Sequence, residues 1–161
     1  MTRRGSLAYY LAGVVCGSFF YTLAYFLIGR RAQEMAPTGG NWARDFLFAF
    51  FLGTVFGWFP QIVAAAVLRK VSYPLRWTEA WHWAVGGAGV FFFVFIPCAI
   101  AGGALERVTG GTRYEWIGQI FFGQAMLSVR TGIWQGLPAG AATSFVLYRV
   151  HRAFAPGASG E

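Results

Sequence analysis

Charged side chains are missing from three long intervals of this chain, residues 5–29, 46–68 and 80–105, and crowd into the short stretches between them. Each interval is at least as long as the roughly 20 apolar residues a helix needs to cross about 30 Å of hydrocarbon. The pattern predicts membrane-spanning helices over about 6–28, 46–68 and 81–105. Breakers separate them: Pro37 with Gly39-Gly40 in the first connection, and Pro74 in the second. Asn41 reads as an N-cap, and Thr78-Glu79 as the opening of the third helix.

Residues 116–148 carry a single charge, Arg130. One unbroken helix over that length would run about 50 Å, too long for an ordinary crossing. A break between Ser128 and Gly132 is therefore expected. It would leave an interfacial or re-entrant helix over about 113–128, opened by a Thr112/Glu115 capping box, and a last span over about 131–148. A short extra crossing, making five spans, is the alternative. The predicted fold is an all-α integral membrane protein: a four-transmembrane-helix bundle kinked at Pro60, Pro97 and Pro138, in one polytopic domain.

Composition sharpens this reading. The 161 residues are 57% hydrophobic and 12% charged, about half the charge a water-soluble surface needs. The net charge of +7 sits in pairs at the ends of apolar runs, such as Arg69-Lys70, where cations snorkel to headgroups. That placement points to a lipid bilayer and away from nucleic acid. Counting Lys and Arg puts both termini on the cytoplasmic side, by seven against six, in what is expected to be a bacterial inner membrane. The opening apolar run is longer than a cleaved signal's core, so an uncleaved first span is expected. Cys16 and Cys98 fall inside apolar runs, where thiols are inert.

Small residues recur at helical spacing: Gly13/Gly17, Gly53/Gly57 and Gly132/Gly136/Gly140. Such faces let backbones approach closely, within this bundle or against another membrane protein. A polar set follows. On a continuous helix Gln124, Ser128, Thr131 and Gln135 lie within about 60° of one another, beside Arg130. It reads as interhelical hydrogen bonding or as the lining of a polar path. His82 and His151 could ligate a haem only if they faced each other on neighbouring helices; interfacial anchoring is the simpler reading.

The remaining chemistry is sparse. No spacing suits a metal, a nucleophilic triad or a phosphate-binding loop, and no embedded carboxylate offers a proton relay. No cofactor is expected. The expected role is a non-enzymatic subunit or assembly partner, packing against other integral membrane proteins or copies of itself. The alternative is a homo-oligomeric channel, carrier or lipid-handling protein.

Overall fold

The computed structural model describes residues 3–29, 41–109, 123, 125–127 and 129–154, of which 3, 29 and 102–109 are described by their backbone alone. These residues are helical apart from one turn between helices and the two ends. Helix α1 (Arg3–Ala24) widens into a π-helical turn at Tyr25–Gly29. Helix α2 spans Trp42–Ser72 and α3 spans Ala80–Thr109. Residues 129–131 lead into a second π turn, Gly132–Gly136, which continues as α4, Leu137–Ala153. Three stretches are long and apolar enough to cross a membrane: Arg4–Ile28, Trp42–Ser72 and Ala80–Ala101.

The helix starts and stops have local causes. Asn41 caps α2 as expected, its Oδ1 accepting from the N–H groups of Ala43 (3.1 Å) and Arg44 (3.4 Å). The α2–α3 turn closes in a Schellman-type pattern. The Trp77 N–H donates to Ser72 O and the Arg76 N–H to Tyr73 O, with Arg76 at φ 49°. At the start of α3, Thr78 lends its carbonyl to the Tyr148 hydroxyl, and Glu79 accepts from the Trp81 indole. Pro60 and Pro97 lie inside α2 and α3, and Pro138 follows the second π turn directly, inside a helix that runs unbroken from 129 to 153.

The expected break between Ser128 and Gly132 takes a different form in its described part. Residues 129–131 stay helical, and the chain then widens: the Leu137 N–H reaches back five residues to Gly132 O. A π turn absorbs one extra residue without leaving the helix. The 113–128 helix, its capping box, Gln124 and Ser128 lie outside the described residues, save for helical positions at 123 and 125–127.

Helix α4 packs against α1 and α3, and α2 packs against the same two helices. Its polarity is reversed relative to a soluble bundle. On α1 the buried positions beyond Tyr9 are small or polar (Gly13, Gly17, Ser18, Thr22, Ala24), whereas Leu7, Leu11, Val15 and Phe19, four residues apart, face outward. Lipid tails are as apolar as leucine, so burial of large aliphatics gains little in a bilayer and close backbone contact gains more. The packed core gathers at one end of the bundle, around Tyr9, Leu68, Trp83, Leu147 and Tyr148. There the rings' polar tips are satisfied by backbone carbonyls, Tyr9 by Ala65 and Trp83 by Trp77.

Candidate functional site

Candidate chemistry is concentrated on the faces where helices meet. At the α1–α2 face, Gln61 of α2 is only 3% exposed. Its Nε2 donates to Ser18 Oγ at 2.9 Å, and to Gly53 O at 3.4 Å; the Ser18 hydroxyl lies 3.4 Å from its Oε1. A buried amide in hydrocarbon must find partners. Two of the predicted small residues make the room. A Cβ at Gly17 would lie 2.7 Å from Gln61 Oε1, and one at Gly57 would lie 2.9 Å from its Nε2. Gly13 serves the same pair of helices, since a Cβ there would lie 3.2 Å from Ala65 Cβ, whereas a Cβ at Gly53 would meet only ordinary contacts. The sequence reading passed over Gln61, although an amide four residues after Gly57, on the same face, was a signal.

The α3–α4 crossing is tighter. A Cβ on Gly140 would lie 2.8 Å from Phe91 Cβ and 3.3 Å from Gly87 O. Gly87, which the small-residue pattern did not single out, faces Ser144: its Cβ would fall 1.7 Å from the Ser144 hydroxyl oxygen. Gly132 makes way for the Phe92 ring, while Gly136 has open space around its Cα despite being buried. Gly13, Gly17, Gly57, Gly87, Gly132 and Gly140 are therefore consumed inside this bundle.

The polar set on the last segment does not share one environment among its described members. Arg130 is exposed, Thr131 is half-buried, and Gln135 is 4% exposed with its Oε1 unpartnered. Arg130 is one residue, about 100°, away from Thr131 around the helix, and Gln135 lies inside the π turn itself. The histidines each lie against a different indole. The His82 ring sits 3.8 Å from Trp81, and the His151 ring 5.2 Å from Trp83. Burial, then the Arg69 guanidinium, pushes the His151 imidazole below its ordinary value of 6.5. Cys16 and Cys98 are free thiols, one half-buried and one exposed. Among the described residues, no three His, Cys, Asp or Glu side chains gather as a metal site would need.

The other end of the bundle holds two smaller spaces. Cavities of about 270 Å³ and about 210 Å³ lie on either side of the Tyr21 and Phe95 rings, which stack at 6.1 Å. The two π turns pack against each other near this end.

Comparison with known protein families, with curated proteins and with solved structures gives no match. The functional reading therefore rests on the molecule's own geometry.

Proposed function

We propose that this chain is a non-enzymatic four-span membrane protein acting as a subunit or assembly partner, with the first half of α2 as its contact face. The observation that carries this reading is the lopsided burial of α2. Its buried residues (Gln61, Ala64, Ala65, Leu68 and Ser72) all lie in the second half. The first half touches α1 along one side only, through Phe46 and Phe50 against Phe19. Its other side presents Phe48, Phe51, Phe56 and Phe59, all more than half exposed, with Phe56 at 76%. Rigid rings offer large contact area at little entropic cost, which suits a partner helix.

The fourth span rests on residues 131–148, which stay helical through the π turn and cover about 27 Å, leaving His151 and Arg152 beyond its end. The orientation rests on Arg4, Arg69, Lys70, Arg76, Arg149 and Arg152, which stand at the helix ends where α2 turns into α3. That end would face the cytoplasm under the positive-inside rule.

The test is site-specific photo-crosslinking from positions 51 and 56 in native membranes. A discrete adduct, to another protein or to a second copy, is expected from both, and none from position 64. Labelling of lipid alone would defeat the proposal. A second reading, a carrier or channel, draws on the two cavities beside Tyr21 and Phe95. It predicts solute flux in liposomes holding the purified chain, and flux no greater than that of empty vesicles would remove it.

A further inference from the structure

At the core end of the bundle the start of α1, the end of α2, the α2–α3 turn and the end of α4 surround a vestibule of about 950 Å³. Three permanent cations line it: Arg69 and Lys70 from the last turn of α2, and Arg76 from the turn. No carboxylate is among the residues that line it. Of the two acids whose side chains are described, Asp45 lies 3.6 Å from Arg44 at the far end of α2, and Glu79 accepts from Trp81. The cations therefore face the cavity without a protein counter-ion among the described residues.

The walls are built to hold this arrangement. The Trp77 ring lies where a Cβ on Gly86 would be, so only glycine at 86 lets the indole lie flat on α3. Trp77 in turn accepts the Trp83 Nε1–H at 2.9 Å, and Trp83 is 1% exposed. His151 stands against Trp83, its Nδ1 buried and unpartnered. Arg69 is positioned by a hydrogen bond from its Nη1 to Ser6 Oγ at 3.3 Å, which engages one of its five N–H donors. Arg76 is held in the left-handed region by the Schellman closure, a conformation an arginine adopts at a cost.

We propose that this vestibule binds the phosphate of an anionic phospholipid headgroup. Three unneutralised cations call for an anion, and guanidinium forks match phosphate oxygens in pairs. The lipid source follows from position. The vestibule opens at the ends of membrane-length helices, beside exposed Tyr73 and Trp81, the residue types that sit at headgroup depth. This inference is independent of the subunit reading, because it concerns the opposite end of α2 from the aromatic face.

The test uses the full chain in detergent, titrated with phosphatidylglycerol or phosphatidylcholine and read by native mass spectrometry as the fraction carrying lipid. The variants are Lys70→Gln and Arg76→Gly. Both side chains are exposed, and glycine suits φ 49° at least as well as arginine, so both variants fold. Phosphatidylglycerol should bind in preference to phosphatidylcholine. Its affinity should fall about fivefold for each cation removed and about 25-fold in the double variant. Arg44→Gln, at the other end of α2, should leave it unchanged. Equal binding of the two lipids, or an equal loss in Arg44→Gln, would overturn the proposal. So would complete displacement of lipid by millimolar inorganic phosphate, which would identify a free-anion site.

Discussion

Placing a methyl group on Gly87 tests the α3–α4 crossing directly. In the structure that Cβ would lie 1.7 Å from Ser144 Oγ and 2.2 Å from Ser144 Cβ. Ordinary carbon–carbon contact is about 3.5–4.0 Å, so the helices must part by about 1 Å. The hydroxyl can rotate away, but the Cβ cannot. Overpacking of this kind costs about 1–3 kcal/mol, and the backbone-level contact places Gly87→Ala toward the upper end. Ser144→Gly removes both clashing atoms. Alone it should cost about 1 kcal/mol or less: glycine weakens a helix by that amount, but the lost hydroxyl was buried without a partner.

In the double variant the nearest atom to the new Cβ becomes Gly140 O at 3.5 Å, an ordinary contact. The pair should therefore be about as stable as Ser144→Gly, so that the coupling equals the whole Gly87→Ala cost, about 2–3 kcal/mol. Ser144→Ala retains the Cβ and should give no rescue. The assay is equilibrium unfolding in mixed micelles, followed by circular dichroism for wild type, both single variants and the double variant. Additive effects, within about 0.5 kcal/mol, would show that Gly87 and Ser144 do not meet as described.

Gly17→Ala should be milder, about 1 kcal/mol, because the obstructing group is the end of an amide that can swing away at the cost of its bond to Ser18. In a Gln61→Ala background the same assay should show almost no penalty, and an undiminished one would refute the packing of Gln61 against Gly17. For His151, the folded-state pKa lies below the unfolded one, so the folded chain binds the proton less readily. Stability should therefore be full above about pH 6.5 and fall as pH drops from there toward the folded pKa. His151→Phe should flatten the unfolding midpoint between about pH 5 and 8; an unchanged slope would assign the titration elsewhere.

Charge placement alone was enough to find three membrane-length helices, because the requirement is one-dimensional: about 20 residues without a charge either occur or do not. The Asn41 cap was legible for the same reason, since donors and acceptor lie within three residues. Glycine spacing showed that some backbones would approach closely, but not which. Gly87 stands in no spaced pair; it matters because Ser144, 57 residues later, arrives opposite it. Gln61 gained its role from Ser18 on another helix, and the vestibule's cations, neighbours in sequence, gained a cavity to face only when α1 and α4 brought their ends beside the α2–α3 turn.

The wheel through Gln124, Ser128, Thr131 and Gln135 assumes regular 3.6-residue turns, and the Gly132–Gly136 π turn, which contains Gln135, departs from that period. Local spacing sets where a helix begins, ends and meets lipid. Which side chains meet each other is decided by how four helices pack around one another.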